Sequence, residues 1–155
     1  MSNTLAQRLK EMKIDLPALA GPFGSYVPAK RVGNLIFVAG QLPMKDGKLV
    51  AAGPVPSNCS IDKAREAARQ CVINGLAAVA TLGPDALDRL RGVVRVGCFV
   101  SSDQGFTAQP QVANGASDLL IELFGEFGKH ARAAIGVNTL PLDASVEIEF
   151  VLETE

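Results

Sequence analysis

The sequence predicts an α+β domain with its helices packed on one face of a sheet. Two long stretches carry apolar residues at helical spacing, and five or six short runs are mostly apolar. Strand-like and helix-like segments follow one another as β-β-α-β-α-β-β, with no internal repeat or low-complexity tract. At 155 residues and 48% hydrophobic composition, the chain suits one compact domain with an adequate core.

Residues 4–13 predict a short opening helix with Leu5, Leu9 and Met12 on one face and Ser2 or Asn3 as its cap. Asp15-Leu16-Pro17 ends it. Residues 26–31 and 34–40 then form a hairpin around Gly33-Asn34, its second strand fully apolar. Gly40-Gln41-Leu42-Pro43 breaks that run, Asp46-Gly47 marks a turn, and an irregular loop with Pro54 and Pro56 runs to Ser60. Ser60 caps a long helix that stops at Gly83-Pro84. Its stripe of Ala64, Ala68, Cys71, Val72, Gly75, Leu76 and Val79 is rich in small residues, which lets it lie close to a sheet. A strand over residues 93–100 follows, with Arg91 and Arg95 on its wetter face. After Asp103-Gln104-Gly105 a second helix spans about 111–127, its apolar face running from Val112 to Phe127 and Gly128 closing it.

Composition narrows the function. Fifteen basic and 16 acidic residues give a formal net charge of −1, and the short basic groupings are scattered, so no nucleic-acid footprint is present. One Tyr, seven Phe and no Trp leave few platforms for stacked bases. The first 13 residues lack the apolar run of a signal peptide, and no stretch reaches the roughly 20 apolar residues of a membrane span. Three cysteines, Cys59, Cys71 and Cys98, at unrelated spacings argue against a disulfide framework or zinc site and for a reducing cytoplasm. With His130 the single histidine, a multi-histidine metal site cannot form within one copy, and any histidine-dependent triad would rest on it alone. Its simpler reading is a partly exposed residue at a strand entrance.

The last third holds the candidate chemistry. Arg132 sits among alanines in His130-Ala131-Arg132-Ala133-Ala134, with little around it to compete for space. Its planar fork suits a carboxylate. Beyond Leu140-Pro141, Val146, Ile148 and Phe150 alternate with Glu147 and Glu149, so both acids project from one face of a strand. The two strands are expected to form a short two-stranded unit in which a buried fork and a carboxylate hold an acidic substrate and position a water. The plainer alternatives are a structural ion pair for Arg132 and a solvated sheet face for the two glutamates.

These segments resemble the RidA/YjgF family of imine deaminases, whose C-terminal motif has an Ala-Arg pair, a Leu-Pro loop and a Glu-Ile-Glu strand. The N-terminal part agrees, through Gly24-Ser25-Tyr26-Val27 and Gly33-Asn34-Leu35-Ile36-Phe37-Val38-Ala39-Gly40-Gln41-Leu42-Pro43. The similarity runs from about Gly21 to Leu152. It implies a chorismate-mutase-like fold over residues 21–155, with residues 1–20 as an added helical extension. It also implies a homotrimer with a barrel-like centre and pockets in the clefts between copies.

By that resemblance Arg132 grips the substrate carboxylate and Glu147 contacts the catalytic water. Tyr26 and Asn114 line the pocket, and Ala39, Gly40 and Ala134 contribute around the ligand, Gly40 and Ala134 through backbone groups. Tyr26 could instead be a core ring, and Asn114 and Gly115 simply polar positions in the first turn of a helix. Ala39 stands where the family often has serine, Ala134 where it has cysteine, and Ser25 where it has proline. The expected reaction is hydrolysis of reactive 2-imino acids to 2-oxo acids and ammonia, with no metal or organic cofactor. Two alternatives stand beside it: a non-catalytic trimer that binds small carboxylates, and an endoribonuclease.

Overall fold

The computed structural model describes residues 3–19 and 24–155. The 20/21 boundary and the alternative cap Ser2 lie outside the described residues. Helix α1 spans Leu5–Glu11, and its cap is Thr4, not Asn3. Thr4 accepts from the Gln7 backbone N–H while the Gln7 side chain accepts from the Thr4 N–H. This reciprocal pair satisfies two groups that a helix start leaves unbonded. Leu5 and Leu9 enter the main core, and Arg8 Nη1 donates to the Leu123 carbonyl at 2.6 Å.

Strands β1 (Ala29–Val32) and β2 (Leu35–Gln41) form the expected hairpin, followed by a small pair, β3 (Met44–Lys45) and β4 (Lys48–Leu49), around Asp46-Gly47. Helix α2 (Ile61–Ala80) is capped by Ser60, whose hydroxyl accepts from the Lys63 N–H at 3.1 Å, and it ends before Gly83-Pro84. Strand β5 (Leu90–Ser101) is longer than the sequence pattern indicated. Helix α3 (Gln109–Phe124) stops at Gly125, whose φ of 62° only glycine adopts cheaply, and a 3-10 turn over Gly125–Gly128 follows. Phe127 therefore leaves the apolar face of α3 and stands 72% exposed. Strands β6 (Ala131–Val137) and β7 (Val146–Thr154) complete the chain.

The main sheet has the order β1-β2-β7-β5-β6. Every pairing is antiparallel except β5 with β6, which α3 connects in parallel. The expected two-stranded unit of β6 and β7 does not form, because β5 lies between them. A strand–helix–strand unit favours parallel neighbours, and β7 then takes the remaining side of β5.

Both long helices cover one face of this mixed sheet. Ala64, Ala68, Cys71, Val72, Leu76 and Val79 of α2 and Val112, Ala116, Leu119, Leu120 and Leu123 of α3 pack on Val96, Cys98, Val100, Ile148, Phe150 and Leu152. The glycines set the spacing: a β-carbon at Gly75 would fall into the Phe150 ring, and one at Gly115 would strike the Arg65 carbonyl of α2. Among the described residues no helix is long and apolar enough to cross a membrane.

Gly115→Ala is expected to destabilise the domain, although alanine has about 1 kcal/mol more helix propensity than glycine. Overpacking against a fixed backbone costs typically about 1–3 kcal/mol, so the clash wins. A urea midpoint equal to or above that of the parent would contradict this packing.

Candidate functional site

The sheet register divides the candidate residues into two groups. Arg132 pairs with Val96, which pairs in turn with Phe150, and both of those side chains are buried beneath the helices. Residues level with one another across a sheet share a face, so Arg132 lies on the helix side, at the β6 edge. Glu147 pairs with Phe99, and Phe99 with Ile135, on the open side. Arg132 and Glu147 thus project from opposite faces, about 10 Å apart across two strand spacings and about 10 Å along the strands.

On the helix side, Arg132 is exposed within one copy rather than buried. Nη1 donates to Asn114 Oδ1 at 2.8 Å and to Ser117 Oγ at 3.1 Å, both on α3. Asn114 is therefore brought to Arg132. Among the described residues of one copy, no acid pairs with Arg132. Ala134 lies one alternation further along β6, on the same face and packed against the core. Its neighbour in register, Cys98, has its thiol pushed up to about 12 by burial, opposed by the nearby Arg132 charge. Cys71 is raised as well, first by burial and then by Cys98 and Glu147, so both thiols are held neutral.

On the open side, Glu147 is half-buried beside Gly40, where a β-carbon would fall on the Glu147 carboxylate. Glycine at position 40 is what admits that carboxylate. Ala39 and Gly40 occupy the irregularity in β2 where pairing to β7 jumps from Val38 to Gln41. The amide of Gln41 donates to the Ala39 carbonyl at 2.9 Å, and Asn74 donates to the carbonyls of Leu42 and Met44 at 3.0 and 2.9 Å. These bonds hold the bulge and the loop that follows. Tyr26, 57% exposed, does not join Glu147 in one cavity: it lines an open cleft of about 1390 Å³ walled by Gln70 and Asn74 of α2 and by parts of the 12–19 segment, which Gly40 reaches and Glu147 does not. It is not a core ring.

Burial raises the Glu147 pKa, and the neighbouring Glu149 charge adds to the shift. A carboxylate lifted in this way is a better proton acceptor than a free glutamate.

Sequence reasoning did not single out Ser117, and it left His130 without a task. Ser117 Oγ lies 2.9 Å from His130 Nε2, and His130 Nδ1 lies 2.6 Å from the Gly128 carbonyl. The available signal was spacing: Asn114 and Ser117 are three apart, one above the other on α3. Among the described residues no group of three or more His, Cys, Asp or Glu could hold a metal ion.

The geometry defines an α+β domain with a helix-facing cation at one sheet edge and a carboxylate on the opposite, open face. A family model described as "YjgF/chorismate_mutase-like, putative endoribonuclease" matches residues 6–153, and the chain belongs to this RidA/YjgF family. It is 40% identical to Protein TCP17 of Trypanosoma cruzi over 154 residues, 98% of this chain and 95% of that protein. It is 31% identical over 144 residues to a 2-iminobutanoate/2-iminopropanoate deaminase of Dermatophagoides farinae, covering 92% and 95% of the two chains. Among solved structures, protein Atu1372 of Agrobacterium tumefaciens superposes with a TM-score of 0.88 at 41% identity, over 97% of this chain and 92% of that one. The family therefore includes imine deaminases.

The raised pKa of Glu147 carries a stability signature. Between the ordinary glutamate value and the raised one, the folded chain keeps a proton that the unfolded chain has released, so stability falls as pH rises through that window. Glu147→Gln is expected to abolish this loss, melting above the parent on the alkaline side of the window and showing no such advantage on the acid side. Thermal melts between about pH 4 and about pH 8 check it, and a variant that melts below the parent at the upper end contradicts it.

Proposed function

We propose that this protein hydrolyses 2-imino acids, with their enamine tautomers, to 2-oxo acids and ammonia in sites shared between two copies of the chain. The observation that carries the proposal is the state of Arg132: a guanidinium held by two neutral oxygens, with no acid partner among the described residues. Such a cation is available to a small carboxylate, and its fork favours two parallel bonds.

The opposite-face arrangement supports the shared site. One copy offers Arg132, Asn114 and Ala134 at the β6 edge; another offers Glu147, Gly40, Ala39 and Tyr26. The open sheet face favours association, since Phe37 and Ile135 stand 45% and 48% exposed there, beside Phe99 and Val151. We assign the assembly as a homotrimer with this face turned to the centre, in keeping with the family resemblance.

In the reaction, Arg132 fixes the carboxylate and so places the imine carbon near Glu147 of a second copy. From the protonated imine, Glu147 accepts a proton as water adds to that carbon, forming a C–O bond while the C=N π pair moves onto nitrogen and gives a tetrahedral carbinolamine. Glu147 returns the proton to the amine; the C–N bond breaks as the hydroxyl oxygen forms the carbonyl, ammonia leaves, and the hydroxyl proton passes to Glu147. Because an imine is already electrophilic, placement supplies much of the acceleration.

Ala39 and Ala134 lack the hydroxyl and thiol common in the family, which favours the second reading, a trimer that binds 2-oxo acids without turnover. An endoribonuclease gains no support, since both ring nitrogens of His130 are engaged within the fold.

The test adds purified protein to a pyridoxal-phosphate dehydratase reaction and follows imine decay. The parent is expected to speed decay and Arg132→Ala to abolish the effect, with Arg132→Lys weaker than the parent because the fork is lost. Glu147→Gln is expected to lower kcat by about 10²–10⁴-fold while 2-oxobutanoate still binds. Decay unchanged by the parent, with 2-oxobutanoate bound, would select the non-catalytic reading.

A further inference from the structure

The two α3 residues that hold Arg132 differ in one respect: Asn114 presents a carbonyl oxygen, whereas Ser117 presents a hydroxyl that is itself controlled from behind. The Gly128 carbonyl accepts only from an N–H, so His130 Nδ1 carries a proton at its 2.6 Å separation. In the neutral ring Nε2 is then an acceptor, and the Ser117 hydroxyl donates a hydrogen bond to it across 2.9 Å. With that proton committed, Ser117 Oγ turns its lone pairs toward Arg132 Nη1, 3.1 Å away. The chain of donors runs in one direction, from Arg132 through Ser117 to His130, while the imidazole separately anchors on Gly128. Each bond in such a chain polarises the next.

Nη1 has two hydrogens, and Asn114 and Ser117 take both. Among the described residues Nε and Nη2 have no partner, so the side of the guanidinium formed by those two atoms is what remains for an anion. Ser117 is 7% exposed, which makes its geometry hard to perturb from solvent.

We propose that Ser117 and His130 are positioning residues for Arg132. Together they lock the guanidinium so that its Nε/Nη2 edge, not its Nη1/Nη2 end, receives the substrate carboxylate. The inference rests on the proposed carboxylate-binding role of Arg132. It assigns the lone histidine a task outside acid–base catalysis, as the fixed end of a relay that sets one hydroxyl proton.

The experiment measures 2-oxobutanoate binding by calorimetry and 2-iminobutanoate turnover on the full-length chain. Parent, Arg132→Ala, Ser117→Ala, His130→Ala and His130→Gln are compared, each with a thermal melt. Ser117→Ala and His130→Ala are expected to raise Kd and KM by about tenfold, the scale of one hydrogen bond to a charged group, with kcat nearly unchanged. His130→Gln, whose side-chain oxygen can still accept from Ser117, is expected to recover most of the affinity. A merely structural role predicts lower melting temperatures without this split or this rescue. Parental Kd in Ser117→Ala and His130→Ala, with binding lost in Arg132→Ala, overturns the positioning role and leaves the carboxylate site standing. Parental Kd in Arg132→Ala removes the site itself and the inference with it. Should Ser117→Ala fail to fold, the half-buried His130 pair decides the matter alone.

Discussion

Strand β5 stands between the strand that carries Arg132 and the strand that carries Glu147, and from Arg95 to Val100 it pairs without interruption on both sides, the shifts toward β7 lying earlier, between Leu90 and Gly92 and between Val93 and Arg95. A shift of one residue in either ladder would move the buried side chains of Val96, Cys98, Ile148 or Phe150 into water, so the register cannot slip cheaply. Everything proposed for the site follows from this. The cation is committed to the helix side and the carboxylate to the open side. No rotamer change within one copy brings them to the same three-carbon or four-carbon substrate. The proposed reaction therefore calls on a second copy for the missing half, and the half-exposed Phe37 and Ile135 are apolar surface on the open face available to it.

The same constraint accounts for how the two charges are kept ready. Arg132 is held by Asn114 and Ser117, which fix its position without neutralising it. Uncompensated charge is inexpensive while the side chain stays wetted in a single copy. In the proposed assembly it becomes costly where a neighbouring copy removes that water, because desolvating an unpaired ion costs several kcal/mol. A small carboxylate bound there, as proposed, would relieve the cost. Glu147 is arranged in the opposite sense: burial and the Glu149 charge disfavour its ionised form, which makes it a willing proton acceptor. Gly40 makes room for that carboxylate, so one missing side chain and one fixed register define the second half of the site.

Much of this was legible in the amino-acid sequence. The alternation of Val146, Ile148 and Phe150 with Glu147 and Glu149 placed both acids on one face, and the small-residue stripe of α2 and the apolar face of α3 pointed to helices lying close to a sheet. Three features were misread for different reasons. The pairing of β6 with β7 was inferred from their adjacency in the chain, whereas sheet order depends on the crossover through α3. The strand–helix–strand pattern held that information, but only once the handedness and parallel pairing of such units were applied. Phe127 fitted the helical period by count but fell beyond Gly125, whose positive φ had already ended the helix. The capping box Thr4-x-x-Gln7 was visible as a motif, yet Ser2 and Asn3 stood nearer the expected start. The Ser117–His130 link was not legible, because the two lie 13 positions apart and the chain turns through a helix end and a 3-10 segment before the side chains meet. Such a contact belongs to tertiary geometry alone.

The most direct test of a site divided between copies is subunit complementation. Arg132→Ala and Glu147→Ala chains, each inactive alone, are unfolded together in equal amounts, refolded, and assayed for imine hydrolysis. Mixed assemblies bring an intact Arg132 from one chain against an intact Glu147 from another, and random assembly of a cyclic oligomer predicts recovery of about a quarter of parental activity. Activity that stays at the level of the separate variants, in mixtures shown to contain both chains in one assembly, would contradict the account.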